Sequence, residues 1–176
     1  MQQLADAKEF ESLVTAMADW VAGLRSAGVS QDPALVGIRD RGDELARRIG
    51  QRLGLGDIGT LDITLYRDDL TEIATQPVVQ TTEIDFSIDG RDVVLIDDVL
   101  MSGRSVRAAL SVLMDLGRPR RVWLAVLVDR GDQRRELPIH ADFAALPYRG
   151  DARVRVQITP TDAVDAVMLQ APEDPR

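Results

Sequence analysis

The stretch Val93-Val-Leu-Ile-Asp-Asp-Val-Leu-Met-Ser-Gly-Arg-Ser-Val-Arg-Ala-Ala109 decides how the chain folds. Residues 93–96 are a continuous apolar run, the pattern of a strand buried on both faces. Asp97 and Asp98 stand at its carboxyl end. A short loop then carries Ser102, Gly103 and Ser105, and a helix follows with Val106, Leu110 and Leu113 at helical spacing. Strand, loop and helix in this order form the unit of an open α/β sheet. Ligands of such sheets sit at the carboxyl ends of the strands.

The residue types in the loop select the ligand. A helix N-terminus offers unpaired N–H groups and the positive end of the helix dipole, so it attracts anions. Gly103 allows close backbone approach, and Ser102 and Ser105 add hydroxyl donors. Two carboxylates beside that nest would repel a phosphate, but they suit hydroxyls or a metal. A ribose 5-phosphate satisfies both halves. The plainer reading is loop polarity at Asp-Asp and turn chemistry at Ser-Gly. Strand, loop and helix all in register favour the ligand. No Gly-Lys-Ser/Thr follows, so this is not a Walker loop.

Composition narrows the class. A chain of 176 residues with 45% hydrophobic content is one domain with a substantial core. The chain has no cysteine, which excludes disulfides and thiol catalysis and suits a reducing cytoplasm, the expected location. No apolar run approaches spanning length, and the first residues lack a signal pattern. Net charge is −8, against unspecific nucleic-acid binding by the whole surface. Yet residues 118–155 carry nine arginines against five acids, leaving −12 on the remainder. A solvated face and an anionic partner both fit that bias.

Along the chain, Phe10, Leu13, Met17, Trp20, Val21 and Leu24 form a helical stripe for the core or a dimer face. Residues 34–38 read as a short buried strand. Arg39-Asp-Arg-Gly42 turns into a second helix with Leu45, Ile49 and Leu53. Here too a strand runs into a helix N-terminus, and Arg41 and Gly42 are placed to hold a second anion; Arg39 and Arg41 as plain surface charges is the alternative. Residues 61–66 alternate as a third strand. The segment from 67 to about 92 is long and irregular, as functional lids are, with Val78, Val79, Ile84 and Phe86 able to make it a hairpin. Residues 122–128 read as a central strand and 143–150 as a loop. Residues 153–158 alternate as a half-exposed strand, 164–169 form the last element, and the tail from about 170 frays. His140, the only histidine, receives no role.

Residues 93–105 resemble the phosphoribosyl-diphosphate (PRPP) motif of type I phosphoribosyltransferases. The chain is more closely similar to the PyrR family of bifunctional pyrimidine-operon attenuators and uracil phosphoribosyltransferases. Leu35-Val-Gly-Ile-Arg-Asp-Arg-Gly42, Leu61-Asp-Ile-Thr-Leu-Tyr-Arg-Asp-Asp-Leu70, and Gly117-Arg-Pro through Ala125-Val-Leu-Val-Asp-Arg-Gly131 to Arg135-Glu-Leu-Pro-Ile139 match in order. The resemblance covers about residues 10–170, and Tyr66-Arg-Asp-Asp69 and Arg135-Glu-Leu-Pro138 are its specific parts.

The resemblance implies a single type I phosphoribosyltransferase domain over 1–176. Its sheet is mainly parallel and flanked by helices, with a mobile lid at 67–92 and a hood with the base pocket at about 129–150. Asp97 and Asp98 would hold the ribose hydroxyls. Met101, Ser102, Gly103, Arg104 and Ser105 would take the 5′-phosphate, with Val99 and Leu100 completing the nucleotide motif. Arg39, Asp40, Arg41 and Gly42 would bind the diphosphate, and Arg67 would stabilise its departing charge. Asp129, Arg130 and Arg135 would line the base pocket. Mg²⁺ would ride on PRPP oxygens and water near Asp97 and Asp98, with no direct protein site.

The implied reaction is uracil plus PRPP giving UMP and diphosphate. The implied regulation is UMP-responsive binding of pyrimidine-operon mRNA, in a homodimer or larger homo-oligomer. Two alternatives are an RNA-binding regulator with vestigial catalysis and a transferase for another base. The chain departs from the family pattern at Asp40, at Met101 and in the longer Asp132-Gln-Arg134. Residues 141–146 also carry no base where attenuating relatives often do.

Overall fold

The computed structural model describes residues 2–30, 32–68 and 81–171. Strands β1 (Gln2–Ala5), β2 (Ala34–Ile38), β3 (Ile58–Leu61), β4 (Asp92–Leu100), β5 (Arg121–Asp129), β6 (Phe143–Pro147), β7 (Arg153–Gln157) and β8 (Ala166–Gln170) alternate with helices α1 (Ala7–Ser26), α2 (Gly42–Leu53) and α3 (Arg104–Leu116). The main sheet has the order β3-β2-β4-β5-β6, with every pair parallel. A smaller antiparallel sheet, β1-β8-β7, is built from the two ends of the chain. The type I phosphoribosyltransferase architecture is thus present.

The alternation of β4 organises the core. Val94 and Ile96 point to the layer of α1 and α2, where Phe10, Met17, Leu45 and Ile49 are buried. Val93 and Leu95 point to the α3 layer with Val106, Ala109 and Leu113. The helices start where their sequences say. Asp6 accepts the Glu9 N–H at 2.8 Å while Glu9 accepts the Asp6 N–H at 2.9 Å, a reciprocal cap. Gly54 ends α2 at φ 64°.

Several expectations change. β4 runs on through Asp97 and Asp98 to Leu100, because Asp97, Val99 and Leu100 keep their pairing with β5. The third strand is Ile58–Leu61, and Thr64–Tyr66 is a 3₁₀ turn started by Asp62, whose Oδ1 accepts the Thr64 N–H at 2.9 Å. Phe143–Pro147, read above as loop, is an edge strand of the main sheet. Phe143 there stacks on Trp20 at 5.5 Å between ring centroids. Of the segment expected as a lid, residues 69–80, with Val78 and Val79, lie outside the described residues. Beyond them Glu83 bridges Thr60 in both directions at 2.8 Å, and Ile84 and Phe86 pack against the α3-side core. Among the described residues no helix is long and apolar enough to cross a membrane.

Phe10 is fully buried between α1 and the sheet. Phe10→Ala is expected to lower the unfolding free energy by about 3–5 kcal/mol in urea denaturation, the usual cost of emptying a buried aromatic site.

Candidate functional site

Parallel pairing of β2 with β4 sets two helix N-termini side by side at the carboxyl edge of the sheet. α3 starts from Gly103, whose φ of 90° favours a residue without a side chain. No side chain at that position caps the helix. Ser102 Oγ accepts the Arg104 N–H at 3.3 Å. α2 starts after Arg41, a non-glycine held at φ 76°. Such a backbone costs on the order of 1–3 kcal/mol and tends to occur at functional sites. The first residue of α2, Gly42, lies so close to β4 that a Cβ there would sit 2.5 Å from the Ile96 carbonyl oxygen. The two nests are therefore pressed against the same strand end.

Asp97 and Asp98 divide between them. Following the alternation of β4, Asp97 faces the α3 side. It borders a cavity of about 190 Å³ together with Met101, Ser102, Gly103, Ser105 and Arg130. Asp98 faces the α2 side and borders a second cavity of about 450 Å³ with Arg41, Arg153 and Arg155. Val99, Arg153 and Val154 border both, so the two spaces meet. Asp97 Oδ1 accepts the Asp98 N–H at 2.9 Å, and Asp98 Oδ1 accepts the Val99 N–H at 2.7 Å. Burial, with the Asp98 charge alongside, pushes the Asp97 carboxyl well above the ordinary carboxylate range. Burial also raises Asp98, opposed by the Val99 N–H and the Arg41 guanidinium.

The glycine loop before α3 is braced from outside. The Ser102 carbonyl accepts N–H groups from Glu136 at 3.0 Å and Leu137 at 3.1 Å. Arg135, its side chain only 5% exposed, donates to the Met101 carbonyl at 2.6 Å and to Asp129 Oδ1 at 2.7 Å. Asp129 Oδ1 also accepts the Gly131 N–H at 2.8 Å. Arg130 is buried in the cavity wall, donates to the Gly150 carbonyl at 2.9 Å, and lies over the Tyr148 ring at 5.3 Å. That burial pulls its pKa below the ordinary arginine value.

The structure thus brings Asp97, Asp98, Val99, Leu100, Met101, Ser102, Gly103, Ser105, Arg41 and Arg130 to the two cavities. It sets Asp129 and Arg135 behind the loop rather than on either lining. Arg104 turns outward to Asp68 and Glu136, each at 2.6 Å. Arg39 lies 3.9 Å from Asp43 and 3.8 Å from Glu83, away from both linings. Asp40 and Arg67 are exposed and border neither cavity. Sequence reasoning did not place Arg153, Val154 or Arg155 at the site. Their alternation announced a half-exposed strand, and nothing in it said which surface that strand would cover. Among the described residues no group of three or more acids or histidines is arranged to hold a metal.

These features recur in known proteins. The profile of the phosphoribosyl transferase domain family matches residues 1–147. The bifunctional protein PyrR of Roseiflexus sp. (strain RS-1) is 48% identical over 176 residues, spanning 96% of this chain and 94% of that protein. That of Thermus aquaticus is 51% identical over 143 residues, 77% of this chain and 78% of the relative. Among solved structures, the hypoxanthine phosphoribosyltransferase of Trypanosoma cruzi superposes with a TM-score of 0.72 at 14% identity, covering 98% of each chain. At that identity the likeness shows the fold alone.

The buried Asp97 yields a pH prediction. Its folded pKa lies above the ordinary value of 3.8, so between the two the folded state holds more protons than the unfolded state. Stability contributed by this group therefore falls as pH rises through that window. Asp97→Asn is expected to raise the unfolding free energy at pH 7 in urea denaturation. The gain should shrink as pH falls toward the ordinary carboxyl range.

Two helix N-termini, a split pair of carboxylates and a braced glycine loop at one parallel-sheet edge agree with the domain match and with the near-50% identities, and the chain is a phosphoribosyltransferase of the PyrR family.

Proposed function

We propose that this protein transfers a ribosyl phosphate from PRPP to uracil, giving UMP and diphosphate. We also propose that, with UMP as signal, it regulates pyrimidine genes by binding their mRNA. The observation carrying the catalytic half is the division of Asp97 and Asp98 between two adjoining anion-accepting cavities. PRPP is a sugar with an anion at each end, and its vicinal hydroxyls lie between them.

In this reading the 5′-phosphate lies on the N–H groups at the start of α3, with the Ser102 and Ser105 hydroxyls. The ribose hydroxyls face Asp97 and Asp98. The diphosphate lies toward Arg41 and the start of α2, where an arginine and a helix N-terminus favour the charge that builds as it leaves. N1 of uracil attacks C1′ as the C1′–oxygen bond to diphosphate breaks. The electron pair leaves with diphosphate, and the N1 proton passes to solvent. Met101, beside this cavity, has no group to donate or accept that proton. The chain acts by positioning and electrostatics. Mg²⁺ fits the donor set as a ligand-borne ion. Two carboxylates beside phosphate oxygens can meet it through water, and the described residues build no cage of their own. When bound, it would neutralise phosphate charge.

The regulatory half is supported by the PyrR relatives and by the arginine excess over residues 118–155.

Asp98→Asn is expected to lower kcat/KM for uracil, PRPP and Mg²⁺ by about 10²-fold, the scale of a lost positioning contact; undiminished turnover would remove the ribose clamp. Filter binding of pyrimidine-operon leader RNA should strengthen with UMP and weaken with salt, while diphosphate release across a panel of bases checks the choice of uracil.

A further inference from the structure

Arg41 does not reach its cavity unaided. Its Nε donates to Asp162 Oδ2 at 3.2 Å and its Nη2 to Oδ1 at 3.5 Å. Asp162 follows β7 and is itself fixed. Its Oδ2 also accepts the Ile158 N–H at 3.0 Å, its own N–H donates to the Ile158 carbonyl at 2.8 Å, and its side chain is 10% exposed. Arg155, across the same cavity, lies 3.7 Å from Asp162 Oδ1.

The loop carrying Asp162 does not need Arg41 to stay in place. Asp165 docks the same loop on α2 by accepting from Arg48 at 2.6 and 3.1 Å, and it accepts the Thr159 N–H at 2.8 Å. Beyond closing its own turn on Ile158, Asp162 therefore acts on the side chain of Arg41. A guanidinium has five N–H groups in a rigid fork. With Nε and one Nη2 N–H turned to Asp162, the remaining N–H groups are left for the cavity that Arg41 borders with Asp98. Without Asp162, the nearest carboxylate of that cavity is Asp98. A guanidinium drawn toward Asp98 would no longer stand at the anion site.

We propose that Asp162 is a positioning residue, which holds Arg41 off Asp98 and aims its remaining N–H groups at the diphosphate end of PRPP. This rests on the proposed reading of the cavity as the diphosphate site. Simple charge counting predicts the opposite sign, since removing an acid beside two arginines should strengthen anion binding.

The test compares the full-length protein with Asp162→Asn and Asp162→Glu. Inorganic diphosphate and UMP are titrated separately, with Mg²⁺ present, and thermal unfolding is followed for each variant. In Asp162→Asn, diphosphate is expected to bind about tenfold more weakly while UMP stays within about twofold, a shift in the range of a direct coupling. Asp162→Glu should fall between. In an Arg41→Ala background the Asn substitution should no longer weaken diphosphate binding. Unchanged or tighter diphosphate binding overturns the proposal. So does an equal loss for UMP, or collapse of folding in both variants, since either means a structural role. A wild-type protein that binds UMP but not diphosphate would instead remove the cavity assignment itself.

Discussion

The close approach of Gly42 to the end of β4 is the constraint on which the rest depends. Parallel pairing brings β2 beside β4, and only a residue without Cβ lets the start of α2 come this near to the Ile96 carbonyl. The same strand end feeds α3 through Gly103. Two positive helix ends therefore converge on one strand terminus, each on its own face of the sheet. Strand alternation does the remaining work, because consecutive residues on β4 must point to opposite faces. A single Asp-Asp dipeptide thereby supplies one carboxylate to each side.

This geometry has an energetic consequence. Two carboxylates buried at a strand end are unfavourable as long as they face only protein, and burial pushes both toward the protonated form. Arg130 is likewise buried, and Arg41 is held at a positive φ. Charges held this way are desolvated and fixed in place by the protein itself, the condition that electrostatic preorganisation requires. The supporting shell is as deliberate as the site. Residues 135–137 brace the glycine loop from outside, Asp165 secures the loop after β7 to α2, and Asp162 holds the Arg41 side chain.

Much of this was legible in the sequence where the signal was local. The apolar run before Asp97, the Ser-Gly-Arg-Ser turn and the helical stripe after it yield strand, nest and helix correctly. So do residues 34–42. Where the outcome hangs on tertiary pairing, the sequence misleads. Residues 61–66 alternate like a strand, but Asp62 captures the Thr64 N–H and turns the chain. Residues 143–147 look like loop beside Pro147, yet they close the sheet edge, where a proline is tolerated. Arg135 stood next to the expected base pocket in sequence, but its side chain points inward to Met101 and Asp129. The basic wall of the cavity beside Asp98, Arg153 and Arg155, belongs to a strand that pairs with β8, in a sheet that β1 from the other end of the chain completes. No local pattern could announce that.

The most direct measurement is a crystal structure of the protein with UMP and Mg²⁺. Nucleotide density is expected along the carboxyl end of β4, with the phosphate on the N–H groups of residues 103–105 and the ribose hydroxyls toward Asp97 and Asp98. A nucleotide bound elsewhere, or one seated here with its ribose turned away from both carboxylates, would contradict it.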